Sequence, residues 1–595
     1  MPTDKTDSPF QTISHQVDFC VVGGGLSGLC AAVAAARNGA KVLLMQDRPM
    51  LGGNASSEVR MWVCGAQGEN RRETGLPEEI MLENLYRNPD RNYSVWDSVL
   101  YELAAYQENL TLLLNCSCMD CETENGRILS VTGWQMTTQT FHTVRAPLFA
   151  DCSGDSVLAP LSGALYRYGR EGAEEFGEDI APAVADRKTM GMSCLIQARE
   201  ETRPSGFIPP KWAYHYTKED LPYRVPNMDE PYENFWYMEL GGEDDAIADT
   251  ERVRDELLKV AYGVWDYVKN APENREKNKN WQLDWVGMLP GKRESRRYVG
   301  DHIMTQHDVR SGGRFDDIVA YGGWSMDDHD PAGIRSAGPP TTYHPAPSPY
   351  GIPYRCLYSK NIENLLFAGR NISVTHTAMS STRVMATCAL CGQAVGTAAA
   401  IAAREGLTPR GVYETKIKEL QRLLMDDDCW LPGLTREIPA LTQEALLLCG
   451  SLDAENLRSG TDRPTESGDN GVTVEKGEAI AYRFTEPKVV SRVRIVFDSD
   501  LNRATLPKQE VFRHRNMMHN RPLRWQDAYV PKTMVRAFRV EGVAPDGSVH
   551  ILAEETDNYQ RLRHFVVDGV YTAVRLIPLE TWGKDQCHVF AFEAE

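Results

Sequence analysis

Three places in this 595-residue sequence set chemically capable side chains close together. His376 stands in "SVTHTAMSS", a polar loop ahead of a long Ala/Gly-rich run; histidine titrates near neutral pH, so it can take or give a proton, or it can be a hydrogen-bonded structural residue. Arg296 and Arg297 in "KRESRR" make a cationic pair able to anchor a carboxylate or polarise a carbonyl, unless Glu294 or another carboxylate pairs with them. Tyr343 and His344 occupy the Pro-rich stretch "PPTTYHPAPSPYGIPYR", a loop type that often carries substrate contacts and otherwise packs. Metal chemistry is not indicated. Cys116, Cys118 and Cys121 in "CSCMDC" lack a second His or Cys pair at zinc spacing, and Cys388 and Cys391 fall within the Ala/Gly-rich run rather than at a helix start that would favour a thiolate.

The elements that must position such groups begin at "DFCVVGGGLSGLCAAVAAARNGAKVLLMQD". A short apolar strand runs into a glycine turn, an Ala/Leu-rich helix stops near Gly39, and a second apolar strand follows. Gly23, Gly25 and Gly28 stand in G-x-G-x-x-G register, which in this context binds a dinucleotide. The first glycine permits the tight turn, the second admits a pyrophosphate to the backbone, and the third lets helix and strand approach. Leu26 and Ser27 open the helix, whose N–H groups and partial positive charge face the phosphates. The acidic ribose-binding position at the end of the second strand is Gln46, with Asp47 one place later, and the pattern does not choose between them. A second glycine-rich segment follows at once, "RPMLGGNASSEVRMWVCGAQG". Two later stretches add "FADCSGDSV", a strand with Ser153, Gly154 and Asp155 opening a helix, and "IENLLFAGRNISVTHTAMSSTRVMATCALCGQAVG".

Together these stretches, with "KRESRR", resemble the FAD-dependent oxidoreductases of the two-dinucleotide-binding-domain flavoprotein type, distantly related to fumarate reductase flavoproteins, over roughly residues 17 to 430. The resemblance implies FAD bound end to end, with the flavin between the nucleotide fold and a middle substrate region. It implies cofactor contacts from Gly52, Gly53, Asn54, Ser57 and Arg60 in the second glycine-rich segment, from Asp155, and from Gly369, Arg370 and Ser381 after "LLFAG". The family usually carries Gly-Asp where this chain has Gly369-Arg370, which puts the Asp-to-ribitol contact in doubt. Glu58 and Cys64 are also placed near the flavin, and His376 falls where the ring is expected. A flavin exchanges hydride, so the protein has to hold the substrate, move a proton and stabilise charge. Alcohol oxidation then needs a base, and reduction of an activated double bond needs an acid and a cationic anchor. The expected activity is oxidation of a CH–OH group, or its reversal, on a polar cyclic substrate such as a sugar or glycoside; a fumarate-reductase-like reduction of C=C is the alternative. A glycan-binding module on a non-catalytic nucleotide fold is a third possibility. No second intact G-x-G-x-x-G is present for an internal NAD(P)H domain, so the electron donor or acceptor is unassigned.

The expected fold is an α/β Rossmann-type FAD-binding domain (17–165 and 351–435) with an inserted α+β substrate region (166–350). A tail (1–16) precedes it; a linker (436–475) and a C-terminal all-β sandwich (476–595) follow. The sandwich is read from period-two alternation, with Ile480, Tyr482 and Phe484, and Val493, Ile495 and Phe497, inward and Arg492 and Arg494 outward. It resembles galactose-binding-like or discoidin-type modules, and a packing or homo-oligomerising role stands beside sugar binding. The middle region is rich in Trp and Tyr, which suits a core and also a ring-shaped substrate. A formal charge of −19 opposes a nucleic-acid partner, and the acidic runs "EEFGED" and "MDDDC" read as solvated surface. The longest uncharged run, 384–403, is built from Ala, Gly, Thr, Cys and Gln rather than lipid-facing residues, so no membrane span is expected. The polar N-terminal stretch and fourteen cysteines point to a reducing, cytoplasmic setting.

Overall fold

A computed structural model describes residues 9–230, 233–501, 517, 520–523 and 528–595. Its first compact unit holds residues 1–66, 91–420 and 515–527. The centre of that unit is a parallel sheet built from the strands read in the sequence: β1 (Phe19–Val22), β2 (Val42–Met45), β3 (Leu110–Leu113), β4 (Leu148–Asp151) and β5 (Leu365–Phe367). Spatial order is β5-β4-β1-β2-β3, every pair parallel. Strands β1, β2, β4 and β5 are buried along their whole length, which explains continuous apolar runs instead of alternation.

Helix α1 (Leu26–Arg37) crosses from β1 to β2 and ends as Gly39 turns left-handed at φ 88°. Against it lies the long helix α3 (Met385–Glu405), the C-terminal neighbour of the short α2 (His376–Thr382). Its glycines set the spacing: a Cβ at Gly392 would stand 2.0 Å from the Ser27 carbonyl, and one at Gly396 would stand 2.1 Å from that of Ala31. This is the one described helix long and apolar enough to cross a membrane, and 94% of its apolar window is buried inside the protein. Its small residues serve backbone-close packing.

A four-stranded sheet flanks the nucleotide fold, and its edge strand Thr12–Gln16 pairs in parallel with Thr140–Arg145. The end of the expected tail is therefore a strand. The inserted region carries short antiparallel pairs around helix Thr250–Asn270, whose Val253, Leu257, Val260, Val264 and Trp265 point into a core shared with Trp281 and Phe235. Much of the aromatic load is thus core, although Trp212 is 52% exposed. Asn520–Arg521, far along the chain, adds a parallel strand to Ile196–Glu200 of this unit.

The second unit holds residues 67–90, 421–514 and 528–595. Its described strands form one seven-stranded antiparallel sheet. The boundary at 435 and the assignment of 67–90 to the nucleotide fold differ from this packing: Leu82 and Leu85 of the helix Leu76–Arg87 are buried with Ile480, Tyr482, Val493, Ile495 and Phe497 in the core of the second unit. Arg494, expected outward, is 2% exposed. Its guanidinium is held by the Asp426 carbonyl at 2.9 Å and by Asp462 at 2.9 Å, which is what makes its burial tolerable. The acidic runs are likewise not plain surface. Asp428 pairs with Arg561 at 2.7 Å, and Glu178 is buried, accepting from the Gln306 N–H and the Thr375 hydroxyl, each at 2.7 Å.

Candidate functional site

At the C-terminal ends of β1, β4 and β5 the glycines divide their work. Gly23 is left-handed (φ 102°), and a Cβ there would press on the Cys152 and Ser153 backbone at 2.5 Å. At Gly28 a Cβ would stand 1.8 Å from the Gly23 carbonyl, so this glycine seats α1 on its strand. Gly25 has only the Gly53 Cα near its Cβ position, at 3.9 Å, and Gly25 bridges Gly52. The two glycine-rich segments therefore meet at a bare backbone face at the start of α1. That helix has no side-chain cap and no acid in its first turn, so the N–H groups of Leu26, Ser27 and Gly28 remain for an anion. This cradle fits the diphosphate of a dinucleotide.

Several expected cofactor side chains are engaged otherwise. Gln46 is 2% exposed; its Oε1 accepts from Gly24 N–H at 2.7 Å and its Nε2 donates to the Met50 carbonyl at 2.9 Å, so it braces the turn. Asp47 is 61% exposed at this strand end, with the Arg48 guanidinium 3.7 Å away. Asn54 donates to the Lys292 carbonyl at 2.9 Å, and the Ser57 N–H donates to Asp97 at 3.1 Å. Arg60 lies between the rings of Tyr93 and Trp285, 4.4 and 4.3 Å from their centroids, and also donates to Gln197. Asp155 accepts from Lys292 at 2.7 Å, from Arg370 at 2.7 Å and from Ser295 at 2.8 Å. Burial opposes its charge, but Arg370 and Lys292 hold its carboxyl down at about 2. Ser381 is fully buried between the Trp324 carbonyl, at 2.5 Å, and the Tyr350 hydroxyl, at 2.6 Å. Gly369 keeps a left-handed turn at φ 123° beside Ser27.

The expected catalytic groups are redistributed more strongly. His376 caps no free site: its Nδ1 faces Glu294 at 2.8 Å, its Nε2 faces Asp328 at 3.1 Å, and its backbone N–H donates to Glu171 at 2.8 Å. Burial would discharge the ring, but Glu294 and the hydrogen bond to Asp328 raise it to about 10, so it is an imidazolium and not a base. Arg297 is fully buried, bonded to Glu294 at 2.6 Å, Glu171 at 2.9 Å and the Gly169 carbonyl at 2.6 Å, and cannot reach a substrate. Arg296 lies over the Tyr166 ring at 5.5 Å. The reading of the arginine pair as an anion anchor therefore fails on burial at Arg297, and the ion-pair alternative applies there.

This network predicts a pH dependence. The folded pKa of His376 lies above the free value of 6.5, so its ion pairs contribute fully below about that pH and are lost as pH rises through about 10. Thermal melts of the protein are expected to shift downward between pH 7 and pH 10.

Tyr343 and His344 are on a hairpin, Met326–His329 against Thr341–His344, with Asp327 opposite Tyr343 and Met326 opposite His344. Alternation puts Asp327 and Tyr343 on one face and Asp328 on the other, toward His376. On the first face Arg383, from the link between α2 and α3, donates to the Asp327 carboxylate at 3.1 Å. Arg293 donates to Ser193 at 3.1 Å and the Trp236 carbonyl at 2.9 Å, with Glu239 at 3.6 Å. The Tyr343 ring is 57% exposed. Partial burial, with Asp327 nearby, pushes the phenol up to about 12 while Arg383 and Arg293 oppose. The first turn of α3 is tied to the second glycine-rich segment, because Ala386 N–H donates to the Cys64 carbonyl at 2.9 Å. Arg293, Asp327 and Arg383 were missed in the sequence. Arg293 sat unremarked inside "KRESRR", and "MDDHD" carried no recognisable spacing. No cluster of metal-ligating residues occurs among the described residues.

Comparison with known proteins adds the following. No curated protein matches the chain. Among solved structures, a geranylgeranyl bacteriochlorophyll reductase-like protein from Thermoplasma acidophilum is similar at 13% identity, covering 70% of this chain and 84% of its own, with a TM-score of 0.31. Sdh1 of Mycobacterium smegmatis, solved with UQ1, is similar at 12% identity, covering 69% and 72%, with a TM-score of 0.27. A family 32 carbohydrate-binding module of EndoD from Streptococcus pneumoniae is 11% identical over 24% of this chain and 83% of its own, with a TM-score of 0.18. The family described as FAD dependent oxidoreductase matches residues 18–424, which contain every strand of the parallel sheet, the glycine cradle and the Arg293, Tyr343 and Arg383 face. With two thirds of its length covered by that match, the chain belongs to the FAD-dependent oxidoreductase family, and its cofactor is FAD.

Proposed function

We propose that this FAD-dependent oxidoreductase reduces a small substrate whose double bond is activated by a carboxylate or carbonyl group. The observation that carries this reading is the set of groups that the hairpin face brings together. Tyr343 keeps its proton beside two guanidinium groups, whereas His376 and His329 each have both ring nitrogens facing carboxylates. That face offers an acid and a cationic anchor, and no neutral base.

The bound flavin supplies hydride exchange with the substrate carbon. Arg383 binds the oxygen on which negative charge gathers, Asp327 fixes its angle, and the largely buried Arg293 adds positive potential behind it. The Tyr343 hydroxyl delivers a proton to the neighbouring carbon and recovers one from solvent through its exposed side.

One observation favours a second reading, oxidation of CH–OH on a sugar-like cyclic substrate. His344 is half-buried, and no hydrogen bond to another described residue holds its ring, so its nitrogens are open to a substrate hydroxyl. The two readings separate in one experiment. Dithionite-reduced protein is mixed anaerobically with unsaturated acids and with keto-sugars, and oxidised protein with glycosides. Return of the oxidised flavin spectrum with unsaturated acids is the expected result, and Tyr343→Phe should slow it about 100-fold without loss of bound flavin. A response confined to sugars would end the first reading and leave the second.

A further inference from the structure

Where the resemblance to other flavoproteins leads to an expected Gly-Asp turn, with the Asp accepting from the ribityl chain, this chain has Gly369-Arg370. Arg370 does not replace it. A guanidinium has donors only, and this one is turned to Asp155 at 2.7 Å, packed so closely over Gly154 that a Cβ there would meet its Nη1 at 2.6 Å. The next residue behaves differently. Asn371 is fully buried, its Nδ2 donates to the Asp151 carbonyl at 3.4 Å, and its Oδ1 has no hydrogen-bond partner among the described residues.

The position of that oxygen is informative. A Cβ on Gly369 would meet the Ser27 Oγ at 3.1 Å and the Asn371 Oδ1 at 3.2 Å, so the two oxygens flank the same left-handed turn beside the first turn of α1. A buried acceptor without a donor is costly, and native proteins retain few of them without a reason. The diphosphate of FAD presents acceptors alone, and its ribityl chain presents hydroxyl donors. We propose that Asn371 Oδ1, one residue beyond the usual position, is the acceptor for a ribityl hydroxyl of FAD, with Arg370 released to neutralise Asp155.

The test is binding, not turnover. Apoprotein is titrated with FAD and with FAD analogues lacking single ribityl hydroxyls, following quenching of flavin fluorescence. In the wild type one deoxy analogue should bind about tenfold more weakly than FAD, the loss of one hydrogen bond. Asn371→Ala should bind FAD about tenfold more weakly and no longer distinguish that analogue. Equal binding of FAD and all deoxy analogues by the wild type overturns the proposal, even if Asn371→Ala does not fold. Persistent discrimination in a folded Asn371→Ala does the same. A wild-type protein that takes up no FAD at all is a separate outcome and counts against the cofactor assignment itself.

Discussion

Gly25→Val is expected to give a folded protein that cannot hold a flavin. The backbone at residue 25, φ −62° and ψ 175°, is open to any L-residue, and a Cβ there meets nothing closer than the Gly53 Cα at 3.9 Å. Loss of a preferred helix-cap residue costs about 1 kcal/mol, too little to unfold the domain. The new methyl groups instead fill the face at which two backbone segments converge, so FAD affinity should fall by 100-fold or more, on the order of 3 kcal/mol. Visible absorbance per polypeptide after incubation with FAD, beside far-ultraviolet circular dichroism, separates the two effects. Gly28→Ala is the contrast: its methyl would collide with the Gly23 carbonyl, so it should damage folding as well as binding. A yellow Gly25→Val protein with a full complement of cofactor would remove the cradle from the binding site.

The second large effect belongs to Glu294. It is wholly buried and accepts from the Met190 N–H at 2.9 Å, from Arg297 at 2.6 Å and from His376 at 2.8 Å. Glu294→Gln preserves shape but leaves two buried cations short of a counter-charge. Breaking such a group by removing one partner costs about 3–5 kcal/mol, far above the cost of losing an exposed pair. Glu251→Gln, which removes an exposed helix pair with Arg254, should cost under about 1 kcal/mol. Urea unfolding of the two variants followed by tryptophan fluorescence tests the contrast. Equal midpoints would mean that the buried charges are not mutually dependent.

The nucleotide fold was readable in the sequence because its signals are local. Gly23, Gly25 and Gly28 act within one turn, and buried parallel strands leave uninterrupted apolar runs such as "VLLM". The catalytic side was not readable in the same way, since it depends on partners far apart in the chain. His376 looked like a base until Glu294 and Asp328, 82 and 48 residues away, occupied both its nitrogens. Arg297 looked available until Glu171, 126 residues distant, closed over it. Arg293 and Arg383 were invisible for the converse reason: only a hairpin that turns Asp327 and Tyr343 to the same face makes them a site. The second unit shows the limit of periodicity. Ile480, Tyr482 and Phe484 obeyed it, whereas Arg494 broke it because ion pairing made an inward charge affordable.

The contact of Gly392 and Gly396 with the carbonyls of Ser27 and Ala31 makes α1 and α3 a single strut, with no side-chain layer between them to shear. Such a joint cannot slide without backbone collision, so the entrance for cofactor or substrate cannot be made by parting these helices. Bulk added at residue 392 would be felt as a shove on the diphosphate end of the cradle.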